Sequence, residues 1–147
     1  MKNTILPILI FLTAFAIGCG DDDDSSTKNR DLLTAHPWKL TARTLSGVPV
    51  NLQSCDLDDT FTYTGFGQFR WDVGDELCFF DEKTVEWIWG FTDETQMEIF
   101  YNDTSDVNNV MTVLFCKVNE LTETNMVLEC SESGPVGLTT VDTFEPL

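Results

Sequence analysis

Positive charge is scarce in this chain. Its 147 residues carry 8 lysines and arginines against 25 aspartates and glutamates, a formal net charge of −17. That balance argues against nucleic acid as a partner, because neutralising phosphates takes clustered Lys and Arg. Histidine is scarcer still: only His36, beside Pro37 and Trp38. With no Cys-x-x-Cys either, the ligand spacing of a zinc site is missing, and no metal ligand is assigned. Gly-x-Ser-x-Gly, a Gly-rich phosphate loop and internal repeats are all absent, which removes the common hydrolase, nucleotide-binding and solenoid signatures. Carboxylates are plentiful, yet none forms a recognisable acid–base pair of the kind glycoside hydrolysis needs. The chain therefore reads as a non-enzyme, with no catalytic residue and no cofactor. Its longest apolar run, residues 5–17, is shorter than the roughly 20 residues a membrane-spanning helix requires.

What is present is apolar and aromatic. Hydrophobic residues make up 42% and aromatics 12%, enough for one globular domain with a core and too much for a disordered chain.

The N-terminus reads as an address. Lys2 precedes the apolar run, and Ala16-Ile17-Gly18-Cys19 ends it. This resembles a bacterial lipobox, which implies a signal peptide over residues 1–18 and lipidation of Cys19. Stable anchoring takes more than one acyl chain, a condition that a triacylated cysteine meets. Residues 19–30 are expected to form a tether, since Asp21 to Asp24 repel one another and keep it extended. An acidic cluster at this place also resembles the surface-export signal of Bacteroidetes lipoproteins. It implies an outer-membrane, lipid-anchored protein displayed on the cell surface.

Cys55, Cys78, Cys116 and Cys130 remain. An even number in an exported chain reads as a disulfide framework with three possible connectivities. Proximity in sequence favours Cys55–Cys78 and Cys116–Cys130. The second pair brackets a hairpin centred near Glu123, which would place its members opposite each other on antiparallel strands.

From residue 31 onward the expected domain, 31–147, opens with a short helical turn over residues 31–35. Strand signals then follow one another. Residues 38–43, 60–64, 68–73, 85–91, 96–101, 126–130 and 139–144 alternate or run apolar between turn signals. Residues 47–50 read as a turn. Residues 110–118 are apolar on both faces and are expected to be covered on both. The sum is an all-β fold of about eight strands, an antiparallel up-and-down barrel or alternatively a β-sandwich.

Several stretches resemble one family. They are Leu32-Leu33-Thr34 with Trp38-Lys39-Leu40; Cys55 with Asp58-Asp59-Thr60-Phe61 and Gly67-Gln68-Phe69; Trp89-Gly90-Phe91 with Met97-Glu98-Ile99; and Leu121-Thr122-Glu123-Thr124-Asn125-Met126-Val127-Leu128. In order and spacing these resemble the lipocalin-like domains of Bacteroidetes lipoproteins. The resemblance implies an up-and-down barrel, often with an interior cavity.

The most functional-looking feature is an aromatic stripe. Phe61, Tyr63, Phe69, Trp71, Trp87, Trp89 and Phe91 recur at period two on consecutive strands. In a barrel they either fill the core or line a hydrophobic pocket, with Tyr63 and the indole N–H groups as polar handles. Two acidic stretches, residues 56–59 and 102–106, are weak calcium candidates. The leading expectation is a small apolar or amphipathic ligand in or at the mouth of the barrel. The alternative is a solidly packed interaction module that meets a protein or glycan through loops at residues 102–109 and 131–137.

Overall fold

The computed structural model describes residues 25–76, 78, 84–102, 111–132 and 138–147. The signal-peptide, lipidation and acidic-tether positions through residue 24 lie outside the described residues. So do residues 103–110 and 133–137, which take in most of the two loops proposed for partner contact and of the second calcium candidate.

The chain runs through α1 (Ser25–Thr34), β1 (Trp38–Leu45), β2 (Val48–Val50), α2 (Ser54–Leu57), β3 (Thr60–Tyr63), β4 (Gln68–Asp72), β5 (Thr84–Phe91), β6 (Gln96–Asn102), β7 (Met111–Leu121), β8 (Met126–Glu132) and β9 (Thr139–Pro146). The strands form one sheet in the order β2-β1-β3-β4-β5-β6-β7-β8-β9, and β1 also pairs with β9. Eight antiparallel strands therefore close on themselves, with β2 as an extra strand, and the sandwich alternative is excluded. Closure leaves the barrel strands few free edges, which suits a sheet this rich in aromatics. The closed sheet, both helices and both disulfides of the described residues all lie between Ser25 and Leu147.

Alternation dictates the inner wall. Trp38, Leu40, Phe61, Tyr63, Phe69, Trp89, Met97, Ile99, Cys116, Val118, Met126, Leu128 and Phe144 are buried in one cluster. Their strand neighbours face out: Glu86, Ile88, Lys117 and Glu145 are exposed.

Three expectations need correction. Residues 48–50 are strand β2, because the turn sits earlier, at Ser46 and Gly47 (φ 48° and 81°). Positive φ at both turn residues is the hairpin geometry that matches strand twist, and it carries Val48 back along β1. Strand β7 is covered on its inner face only: Met111 and Phe115 are 59% and 46% exposed while Cys116 and Val118 are buried. A barrel wall has one solvent face, so its outer apolar residues stay wet. Finally, the helix begins at Ser25, not at Asp31, and takes in part of the expected tether. Its sequence is polar, and tertiary docking holds it. Leu33 is fully buried beneath the barrel, Arg30 stacks 5.5 Å over the Trp89 ring, and Asn29 Nδ2 donates to the Glu94 carbonyl at 2.7 Å.

Candidate functional site

The two ends of the barrel differ. Helix α1 packs against β3 and β7 and plugs one end. There Leu33, Trp38 and Met126 are fully buried, Met97 nearly so, and Trp38 Nε1 donates to the Leu33 carbonyl at 2.9 Å. Among the described residues no helix crosses the opposite end, from which the β4–β5, β6–β7 and β8–β9 connections leave. Its wall holds Trp71, Trp87, Tyr101 and Leu114, all half-buried.

The seven aromatics of the stripe meet on the inner face. Cross-strand register puts Phe61 opposite Trp71, Tyr63 opposite Phe69, and Phe69 opposite Trp87. Phe69 and Trp87 stack at 5.4 Å between centroids, and Trp71 meets Trp87 edge-on at 5.9 Å. Tyr63 meets Trp89 edge-on at 5.6 Å, and Phe91 meets Trp89 edge-on at 5.7 Å. Four of the seven, Phe61, Tyr63, Phe69 and Trp89, are core. Trp71, Trp87 and Phe91 pack against that core, the first two toward the end from which the β4–β5, β6–β7 and β8–β9 connections leave. Tyr101 joins them, its ring 4.7 Å from Trp87. The period of β6 puts Tyr101 in phase with Met97 and Ile99, so the signal for it was present in the sequence.

Two polar groups in this wall stand out. Trp38 and Trp89 give their indole N–H groups to backbone carbonyls, and Trp71 gives its own to Asp59 Oδ2 at 2.7 Å. Among the described residues the Trp87 N–H makes no hydrogen bond, unlike those of the other three tryptophans. The Tyr63 hydroxyl, on a residue only 3% exposed, makes none among them either. Asp58 Oδ1 is the sole fully enclosed polar side-chain atom among the described residues left unpaired. Burial, reinforced by the charge of Asp142, pushes the Tyr63 phenol far above its ordinary value, so it stays a neutral donor and acceptor.

Charged residues missed by pattern reading sit in the same wall. Arg43 Nε and Nη2 donate to Asp142 Oδ1 and Oδ2, each at 2.7 Å. Strict alternation from Trp38 would send Arg43 outward. A β-bulge between Leu40 and Ala42 shifts the phase and turns it in, opposite Asp142. Asp142 shares its face with Phe144 and is 9% exposed. The carboxylate raises the Arg43 pKa, chiefly through the hydrogen bond. Asp59, 4% exposed, accepts from Trp71 and from the Gly74 N–H at 3.1 Å. Burial pushes the Asp59 carboxyl up, and those two hydrogen bonds pull it back. Gly74 has to be glycine for this approach, since a Cβ there would run into the Asp58 carboxylate.

Both disulfides form as the spacing implies. Cys116 and Cys130 are direct cross-strand partners with Cα atoms 4.0 Å apart, and Cys55–Cys78 spans 5.6 Å. The second bond also disposes of a metal reading. Cys55, Asp56 and Cys78 cluster closely, but both sulfurs are spent on each other. His36 lies against the Trp38 ring at 4.4 Å, beside the plugged end.

No family model matches the chain, and no curated protein is similar to it. The eight-stranded antiparallel barrel fits a lipocalin-like fold.

Proposed function

We propose that this protein is a lipid-anchored, lipocalin-like barrel that binds one small apolar or amphipathic molecule at the end opposite helix α1. The observation that carries the reading is a pair of polar groups, Trp87 Nε1 and the Tyr63 hydroxyl, that make no hydrogen bond among the described residues and are set in an otherwise aromatic wall. A core that existed only to be filled would leave neither a donor nor a phenol without a hydrogen bond. A pocket that is mostly apolar with a few placed polar groups is the usual form of a small-molecule site. The anchor is the lipidated Cys19, with the acidic run behind it as the surface-export element and the outer membrane as the address.

The ligand test uses residues 25–147. Titration with fatty alcohols, retinoids and an environment-sensitive apolar dye, followed by tryptophan fluorescence, is expected to saturate at one molecule per chain in the micromolar range. Absence of saturable binding across the panel would overturn the pocket. The anchor is tested separately, by labelled palmitate incorporation in an exporting bacterium. Label is expected in the full chain and lost in Cys19→Ser.

A further inference from the structure

Phe66 is the most exposed large apolar residue described, at 99%. It holds the third position of the Thr64–Gly67 turn between β3 and β4, where glycine and small polar residues are the usual occupants. The turn is firmly fastened. The Gly67 N–H donates to the Thr64 carbonyl at 3.0 Å, the Thr64 N–H to the Gln68 carbonyl at 2.9 Å, and the Gln68 N–H to Thr64 Oγ1 at 3.2 Å. From β5, the Trp89 N–H donates to the Gly67 carbonyl at 2.8 Å. The Phe66 ring is thus held out in water on a fixed backbone.

This turn belongs to the plugged end and is tied to α1. Arg30 Nη1 donates to the Gly65 carbonyl at 3.5 Å, and neighbouring Asn29 holds the β5–β6 turn at Glu94. Leu147, 67% exposed, joins the same end, its N–H on the Pro37 carbonyl at 3.1 Å. Ser25, where α1 begins, stands about 6 Å of helix rise from Asn29. Only residues 20–24 separate Ser25 from Cys19. A chain segment spans at most about 3.6 Å per residue, so the acylated sulfur lies within about 20 Å of Ser25. An acylated Cys19 therefore holds the plugged end next to the bilayer. Strand β1 carries the β1–β2 turn about 25 Å along the strand toward the other end. One phenylalanine is too weak to hold a protein on a membrane alone. Beside an anchor it becomes the second point of a two-point attachment, at high effective concentration. Charge does not drive the contact: Lys28 and Arg30 are exposed at this end, but so are Asp31, Asp93, Glu94 and Glu123. The contact is apolar and suits an uncharged lipid surface.

We propose that the plugged end of the barrel docks on the lipid surface, with Phe66 inserted at the boundary of headgroups and acyl chains, so that the opposite end points away from the membrane. This inference rests on the anchor reading above and adds an orientation to it.

The test uses the acylated full chain, purified from an exporting bacterium and reconstituted into phosphatidylcholine vesicles. A nitroxide label is attached at Phe66→Cys in one variant and at Val48→Cys in another. Val48 is also apolar and exposed, at 66%, but follows the β1–β2 turn at the opposite end. Both positions are on the surface, so neither substitution disturbs the core. The ratio of oxygen to nickel-chelate collisions is expected to be several-fold higher at position 66 than at 48, with the label at 66 about 5–10 Å below the headgroup surface. A third label, at the exposed Thr124→Cys in the β7–β8 turn of the same end, keeps Phe66 in place. Its closeness to the bilayer is expected to be lost in Phe66→Asp. Equal ratios at 66 and 48, in protein that floats with the vesicles, would leave the anchor standing and overturn the docking. A chain that does not float with the vesicles would refute the anchor, and the docking with it. Spin–spin broadening at 66 would assign the turn to a second copy of the chain and overturn the inference.

Discussion

Arg43 and Asp142 face each other across the β1–β9 seam, joined by two hydrogen bonds of 2.7 Å inside the barrel that those strands close. The pair sits where the sheet meets itself. Its side chains are 30% and 13% exposed, so the bond is only partly screened by water. Removing one partner strands the other. Arg43→Met and Asp142→Leu are each expected to cost about 1–3 kcal/mol in urea denaturation. The double variant should recover most of that loss, since two apolar side chains replace a satisfied ion pair. Single variants within 0.5 kcal/mol of the parent would refute the role of the seam pair.

The phase shift that creates this pair explains what pattern reading missed. Alternation placed all seven stripe aromatics on one face and holds through β3, β4 and β5, which are regular. It failed at Arg43 because one bulge at Leu40/Ala42 inverts the facing of everything after it. Asp142 lies inside the expected strand 139–144 and in phase with Phe144, but nothing in that alternation points to Arg43 as its partner. Strand β2 was hidden by Pro49, which pairs with Thr44 on the outer edge where a missing N–H costs nothing. Helix α1 was hidden because only Leu33 of its residues is anchored in the core.

That anchor gives the next prediction. Leu33 is fully buried under the plugged end. Leu33→Ala is expected to cost about 2–4 kcal/mol and to speed amide exchange along α1 while leaving the strands protected. Unchanged exchange in α1 would mean that the plug is held by its polar contacts alone.

Tyr63 carries a pH signature. Its phenol is raised by burial, and Asp142 adds to that. The protonated form is therefore the one the folded state favours. The stabilisation is complete below the unfolded tyrosine value of about 10 and declines as pH rises above it. The 295 nm absorbance difference between parent and Tyr63→Phe should stay flat from pH 8 to 11 and appear only with unfolding. A reversible titration near pH 10 in the folded protein would contradict the enclosed position.

The inner disulfide should matter to stability. Cys116–Cys130 closes a separation of 14 residues and its first sulfur is fully buried. Replacing both by alanine is expected to cost about 3 kcal/mol in the chain-entropy view, read as a lowered melting temperature. A free-thiol count of zero in denatured, unreduced protein checks that both bonds form.

The pocket rests most directly on the Trp87 indole N–H, so the decisive measurement is the nitrogen-15 spectrum of the four tryptophan side chains, with Trp87 assigned through Trp87→Phe. The account predicts that the Trp87 proton exchanges with water faster than those of Trp38 and Trp89, and that it moves saturably with dodecanol while the Trp38 signal stays still. A Trp87 proton as protected as the others, and unmoved by any member of the ligand panel, would show a filled barrel and contradict the central claim.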